Sequence, residues 1–208
     1  AQKDGRKNQK LLRRAVMDIL NEKEALPRYS EYKDSGVRWL DKIPQTWSIE
    51  KGKWLFSLQN RPPRDNDKIV TCFRDGTVTL RENRRTVGFT NAIKEHGYQG
   101  VRKGDFVIHA MDAFAGAIGV SDSDGKCSPV YSICTERKAG VVDKRFYAYL
   151  FRNLANKGVI LSLAKGIRER STDFTFSDFS NLKFPFPACS QQTAIANFLD
   201  RKTAQIDR

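Results

Sequence analysis

The groups in this sequence best suited to catalysis are carboxylates at predicted strand ends and two histidines. A metal-dependent nuclease would be built on Asp105 and Glu136, although the acidic cluster that such chemistry uses is missing around them. Turn formation explains Asp105, Asp112 and Asp122 equally well. The two histidines are far apart in sequence, so they define neither a metal site nor a Ser–His pair, and His109 in an apolar strand is better explained as a core residue. We therefore predict no catalytic residue and no metal site, with the nuclease as an alternative.

Two short motifs resemble nucleotide-binding signatures, but their contexts are wrong. The segment 60–63, Asn-Arg-Pro-Pro, is similar to the Asn-Pro-Pro-aromatic loop of amino methyltransferases, with its residues in a different order. The segment 116–119, Gly-Ala-Ile-Gly, precedes a predicted strand, whereas a dinucleotide fingerprint opens a helix. The sequence also lacks the G-x-x-x-x-G-K-[ST] phosphate loop. We therefore expect no cofactor to be bound by this chain.

Basic residues in two predicted loop segments point to binding instead. Lys and Arg outnumber Asp and Glu by 37 to 24, and the resulting net charge of +13 favours a polyanionic partner such as nucleic acid. Arginine binds guanine bidentately and also binds phosphate, and Ser and Thr hydroxyls suit phosphate. A single arginine is more simply a solvated surface charge, so the hypothesis depends on clustering. The predicted DNA-binding residues are Arg81, Arg84, Arg85, Lys94, Lys165, Arg168, Arg170, Ser171 and Thr172.

The cysteines and the hydropathy pattern indicate the compartment. Four cysteines, at positions 72, 127, 134 and 189, form no C-x-x-C pair and fit neither a zinc site nor a disulfide framework. We interpret them as reduced thiols. No apolar run approaches the roughly 18 residues of a membrane span, and no signal-type stretch follows the first residues. The sequence thus predicts a cytoplasmic protein without a membrane partner.

Short runs rich in Val, Ile, Thr and aromatic residues predict strands, because Gly, Asp or Pro bounds each of them. Asp75-Gly76 and Asp124-Gly125 predict hairpin turns. Together with a few helices, these runs predict an α+β fold with a mixed or antiparallel sheet rather than a doubly wound parallel sheet. The predicted strands are 69–73, 77–80, 106–109, 116–120 and 130–135.

Three helical segments are predicted in the second half of the chain. Asp143 is the expected N-cap of a helix that ends at 156–158. A shorter helical piece follows at 159–164, and one more turn starts at Ser177 or Asp178. The predicted apolar face of the first helix consists of Phe146, Leu150, Phe151 and Leu154.

The two ends of the chain are predicted to be helical. Residues 6–25 show an amphipathic pattern that Pro27 ends. The segment 28–47 has little regular period and predicts an aromatic-anchored loop whose tryptophans cover an edge of the core. After Pro187, apolar steps of four and seven residues fit a coiled coil. We expect this last helix to stand apart from the core and to dock a partner subunit through Ile195, Leu199 and Ile206.

Three motifs in order resemble type I restriction-modification specificity subunits over nearly all of residues 28–208. The first, at 32–47, is Tyr-Lys-Asp-Ser-Gly-Val-x-Trp-Leu-x-x-Ile-Pro-x-x-Trp. The second combines a Gly-Asp strand at 104–108, Gly-Ala-Ile-Gly-Val at 116–120 and Asp-Gly-x-x-Ser-Pro-x-Tyr at 124–131. The third is Leu-x-x-Pro-x-Pro at 182–187, followed by a helix that matches the family over 191–200, with Ser190 where Glu is usual.

The resemblance implies one target-recognition domain at 28–187, preceded by an N-terminal helix at 1–27 and followed by the start of a spacer helix at 188–208. A whole specificity subunit holds two such domains, and each reads half of a split DNA site. The implied partners are double-stranded DNA, modification (methyltransferase) subunits that bind S-adenosylmethionine and methylate adenine, and a restriction/translocase subunit. The chain would do no chemistry itself, and it is interpreted as a fragment or a half-subunit.

An RNA-binding module is the other alternative. An RNA-recognition motif stacks bases on aromatic residues of one strand face. The aromatic residues of this sequence lie instead in predicted helices and in the segment 28–47. Duplex DNA is therefore the favoured partner.

Overall fold

The computed structural model describes residues 29–84, 96–163, 165–168 and 171–206, and at 165–168, 171 and 172 it describes the backbone alone. The predicted N-terminal helix at 6–25 lies outside these residues. The described part of the chain has three layers, with a central antiparallel sheet between a layer of short β-hairpins and a layer of helices.

The central sheet has four antiparallel strands in the order β4-β11-β8-β9. Strand β8 is buried over most of its length because both faces of the sheet are covered. Phe106 and Ile108 point to the helices, while Val107 points to the hairpin layer. The three predicted strands of this sheet are confirmed within two residues. The four strands are β4 (Phe56–Gln59), β8 (Phe106–His109), β9 (Ile118–Val120) and β11 (Tyr131–Glu136).

The hairpin layer consists of two antiparallel pairs, β5-β6 and β7-β10. Asp75-Gly76 forms the predicted turn between β5 and β6, where Gly76 adopts φ +85°. The predicted hairpin at Asp124-Gly125 is wrong, since β10 pairs with β7 rather than with β9. Asp124 accepts a hydrogen bond from the backbone of Lys103 at 2.9 Å, which directs the chain toward β7. The four strands are β5 (Val70–Cys72), β6 (Val78–Leu80), β7 (Gln99–Val101) and β10 (Gly125–Cys127).

The helix layer covers the other face of the sheet with aromatic side chains. Asp143 caps the first long helix, as predicted, by accepting a hydrogen bond from the backbone of Arg145 at 3.0 Å. The later turn starts before Ser177, because Thr175 and Asp178 form a capping box. The predicted apolar face is buried except for Leu150, which is partly exposed. The helices are α1 (Gly52–Leu55), α2 (Lys144–Asn156), α3 (Val159–Leu163), α4 (Phe176–Asn181) and α5 (Cys189–Ile206).

Within the segment predicted as an aromatic loop, residues 32–44 form a hairpin. Strands β1 (Tyr32–Val37) and β2 (Leu40–Pro44) pair antiparallel. The hairpin was missed because most of its side chains face solvent, so its strands show no alternation of apolar residues. Trp39 and Trp47 do pack against the core, as predicted. The following strand, β3 (Ser48–Lys51), pairs with β14 (Lys183–Phe186).

The C-terminal helix does not stand apart from the domain, contrary to expectation. Ala196 and Phe198 of α5 are buried, and Ile195 packs against the core. Asp200 accepts hydrogen bonds from Tyr149 Oη at 2.6 Å and from Arg145 Nη1 at 2.7 Å on α2. The sequence pattern placed the docking stripe on a helix that packs against α2. None of the described helices has the length and apolarity to span a membrane.

Candidate nucleic-acid interface

The centre of the candidate interface is the turn between β8 and β9, residues 110–116, called here the corner. Its backbone folds tightly around Asp112, whose carbonyl accepts hydrogen bonds from Ala115 at 2.9 Å and Ala117 at 3.2 Å. Gly116 ends the turn with φ +98°, a conformation that favours glycine. The predicted Gly-Ala-Ile-Gly motif therefore spans the end of the corner and the start of β9.

The tip of the β5-β6 hairpin, residues 73–77, rests on the corner and on β9. A Cβ on Gly116 would lie 2.7 Å from the carbonyl oxygen of Arg74, and one on Gly119 would overlap the carbonyl oxygen of Gly76. Arg152 of α2 also contacts the tip, because its Nη1 donates a hydrogen bond to the carbonyl of Asp75 at 2.8 Å. The glycines of the motif thus permit close backbone approach and do not form a phosphate-binding loop.

An ion pair joins the hairpin tip to the corner. Arg74 donates to Oδ1 of Asp112 from Nε at 3.2 Å and from Nη2 at 2.7 Å. Nδ1 of His109 lies 3.1 Å from the other carboxylate oxygen, without the alignment of a hydrogen bond. The Arg74 guanidinium also lies 5.9 Å from the centre of the Phe114 ring. Its side chain nevertheless remains 63% exposed.

A second arginine is held at the same tip in a similar way. Nη1 of Arg84 lies 2.5 Å from Oδ2 of Asp75, and its guanidinium lies 4.8 Å from the centre of the Phe73 ring. Arg81, in contrast, donates from Nε to Thr71 Oγ1 at 3.2 Å across the hairpin. Of the predicted residues in the first basic segment, Arg84 thus reaches the tip, whereas Arg81 lies at the other end of the hairpin, where its backbone N–H donates to the carbonyl of Ile69 at 2.8 Å. Arg85 and Lys94 lie outside the described residues.

The second basic segment is anchored to the same corner. Phe174, directly after it, donates its backbone N–H to the carbonyl of Ala110 at 3.3 Å, and α3, directly before it, packs on residues 113–115. Its backbone is an antiparallel hairpin of β12 (Lys165–Arg168) and β13 (Ser171–Asp173) rather than the predicted loop. Arg170 lies outside the described residues, and the backbone alone is described at the other predicted positions, Lys165, Arg168, Ser171 and Thr172.

The charge environment of Asp112 leads to a measurable prediction. The neighbouring imidazole of His109, followed by the guanidinium of Arg74, lowers the pKa of Asp112 to about 2. A carboxyl group with a depressed pKa stabilises the fold above its usual pKa, and this contribution is lost as the pH falls toward about 2. We expect NMR titration of the Asp112 carboxyl group to show this low pKa, and Arg74→Ala to raise it. An unchanged pKa in that variant would mean that the ion pair does not form in solution.

Asp105, one of the two carboxylates of the nuclease alternative, already has structural partners. Asp105 is buried, pairs with Arg61 and accepts a hydrogen bond from the backbone of Arg102 at 2.7 Å. Burial raises the pKa of Asp105, against the opposing effect of these partners. The described residues contain no group of three or more His, Cys, Asp or Glu side chains that could hold a metal ion. The four cysteines are free thiols, as predicted, and burial raises the pKa of Cys127 to about 12.

Comparison with known proteins identifies the fold. No protein-family profile and no curated protein matches the sequence. One similar chain comes from a structure that describes the assembly and conformational transition of the type I R-M system. It aligns over 99% of this chain and 47% of its own length, with a TM-score of 0.56 and 15% identity. The HsdS subunit from Thermoanaerobacter tengcongensis aligns over 99% of this chain and 46% of its own length, with a TM-score of 0.52 and 15% identity.

These comparisons confirm the predicted α+β fold with antiparallel sheets and a C-terminal helix. This chain has the fold of part of an HsdS subunit, and it spans about half the length of the structures that it matches. At 15% identity the likeness defines the fold and leaves the site to be argued from the residues of this chain.

Sequence reasoning missed two arginines of the interface, Arg74 and Arg152. Arg74 is the first basic residue of the segment 74–103, but it was not predicted as a DNA contact. Its position at a predicted hairpin tip was the available signal, because tips present side chains away from the sheet. Arg152 lies within a helix, and its role beside the tip depends on how that helix packs.

Proposed function

We propose that this chain recognises a sequence in double-stranded DNA, as a half-site reader of a type I restriction-modification system. The observation that carries the proposal is that two basic segments, far apart in sequence, are anchored to one corner within a fold shared with an HsdS subunit. In this proposal the chain is a non-catalytic, cytoplasmic recognition module, with no cofactor or metal of its own.

The proposed partners follow from the same fold. Modification subunits that bind S-adenosylmethionine and methylate adenine would dock on α5, and a restriction/translocase subunit would join them. Ile195, Leu199 and Ile206 are the proposed docking residues, although Ile195 also packs on the core. Leu199 and Ile206, both partly exposed, are therefore better suited to docking.

DNA binding by the chain is expected to be weak and strongly dependent on salt. An excess of 13 positive charges attracts the phosphate backbone, and a single half-site reader makes few specific contacts. With about four phosphate contacts, affinity for a fluorescent duplex should fall about 100-fold between about 50 and about 200 mM KCl. Fluorescence anisotropy measures this dependence directly. As a control, Lys51→Ala removes one positive charge on strand β3, outside the interface, and should leave the salt dependence nearly unchanged.

Two outcomes would contradict the proposal. An affinity that does not change with salt would show that the backbone of DNA is not the ligand. Tighter binding to single-stranded RNA than to duplex DNA of the same length would favour an RNA-binding module instead.

A further inference from the structure

The guanidinium groups of Arg74 and Arg84, both at the hairpin tip, are held in the same arrangement. Each guanidinium is held by one carboxylate and lies near one phenylalanine ring: Arg74 with Asp112 and Phe114, and Arg84 with Asp75 and Phe73. Both side chains remain exposed, at 63% and 41%. The pair is therefore oriented on the surface while its remaining N–H groups stay available to a ligand.

The orientation of Arg74 leaves the end of its guanidinium that does not bind Asp112 facing solvent. Nε and Nη2 both donate to one carboxylate oxygen, so Asp112 takes one edge of the group. A guanidinium has five N–H donors, and the described structure gives the other three of Arg74 no partner. Because the side chain is already ordered, binding through the free end loses less rotamer freedom than binding by a mobile arginine.

The carboxylates of Asp112 and Asp75 favour a base over a phosphate as the ligand of these arginines. A phosphate on either guanidinium would bring a second anion close to Asp112 or Asp75, and the two anions would repel each other. The edge of a guanine is neutral and offers O6 and N7 as acceptors to an arginine. A carboxylate beside the arginine therefore favours base contact over phosphate contact.

The tip of the hairpin is exposed at Arg74, Asp75 and Thr77 and so can approach the same ligand. The β5-β6 hairpin is a two-stranded ribbon with three paired residues on each strand. The major groove, about 12 Å wide, admits a two-stranded β-ribbon. In contrast, the exposed pair Arg64–Asp124, with 67% and 49% exposure, does not belong to this hairpin tip, and none of the described aromatic rings lies over its guanidinium.

We infer that Arg74 and Arg84 each read a guanine in the major groove, with Asp112 and Asp75 as positioning residues. This inference rests on the proposed function, since it assigns the base-reading residues of the same interface. Arg74 and Arg84 are then the specificity-determining residues that the β5-β6 hairpin contributes.

The test is selection of bound sequences from duplex DNA with a randomised central segment, at about 50 mM KCl. The full chain should enrich a motif that contains guanine. Arg74→Ala and Arg84→Ala should each remove the guanine preference at one position, by about 5- to 150-fold, and leave the other positions unchanged. Arg64→Ala should leave the whole motif unchanged. Arg74→Lys and Arg84→Lys retain the charge, so they should also lose the preference, because lysine lacks the bidentate fork.

The outcomes separate this inference from the proposed function. An enriched motif that survives both alanine and both lysine variants would overturn the inference while the proposed function stands. Duplex binding without any enriched motif would overturn the inference and the proposed sequence recognition together, since base-reading arginines must leave a sequence preference. If the unmodified chain bound no duplex, the proposed function would fail, and the inference with it. Thermal unfolding of each variant shows whether a lost preference reflects a lost fold.

Discussion

Replacement of Gln192 by alanine is expected to lower the free energy of unfolding by about 2–4 kcal/mol, since buried polar groups lose their partners. Gln192 is fully buried at the start of α5. Its Oε1 accepts a hydrogen bond from the backbone N–H of Asp143 at 2.8 Å, and its Nε2 donates to the carbonyls of Val141 at 3.1 Å and Pro187 at 2.9 Å. One side chain thus joins α5 to the N-terminal end of α2.

The neighbouring Gln191 provides the matched control. Its side chain is partly exposed, and its described hydrogen bond is made by the backbone to Ala188 at 2.9 Å. Gln191→Ala should change the free energy of unfolding by less than about 0.5 kcal/mol. Urea unfolding followed by circular dichroism measures both variants. Equal stabilities for the two would show that the packing of α5 does not depend on the hydrogen bonds of Gln192.

Gly119→Ala is expected to destabilise the domain by about 3 kcal/mol and to displace the hairpin tip, because a buried methyl group without space forces the backbone to move. The added Cβ would overlap the Gly76 carbonyl oxygen and lie 2.9 Å from Val78 Cγ2. The tip carries Arg74, so its displacement should weaken the pair with Asp112. The expected readouts are a lower midpoint in urea and a higher pKa of Asp112.

Gly140→Ala is the control that separates the effect of backbone strain from the effect of displacing the hairpin tip. Gly140 has φ +75° with open space around its Cβ position, so alanine there meets backbone strain of about 1–2 kcal/mol and no neighbour. It should leave the pKa of Asp112 unchanged. If Gly119→Ala also left that pKa low, the close contact between the tip and β9 would not control the ion pair.

Local signals in the sequence predicted the elements of the fold well. The apolar runs of β8 and β11, the Asp143 cap of α2 and the Asp75-Gly76 turn all appear where the sequence places them. These features depend on neighbouring residues, since strand period, helix capping and turn geometry are properties of a few consecutive positions. The β1-β2 hairpin escaped prediction because its exposed faces carry no periodic signal.

The candidate site could be predicted only in part. Charge clustering indicated Arg81 and Arg84, and the structure places the guanidinium of Arg84 at the hairpin tip and Arg81 at the opposite end of the hairpin. Arg74 was missed because its significance depends on Asp112, which lies 38 positions further along the chain. The apolar spacing in α5 indicated a docking stripe, but it could not show that α2 already covers part of that helix.

By itself, the sequence determined the basic character of this chain, its α+β class, its local elements and the motifs that resemble a specificity subunit. Only the tertiary structure decided that two basic segments share one corner, that carboxylates hold two arginines at a hairpin tip, and that α5 belongs to the core. The physical reason is that these features are contacts between distant residues. Such contacts depend on how layers pack, and the periodicity of a single segment carries no information about its packing partner.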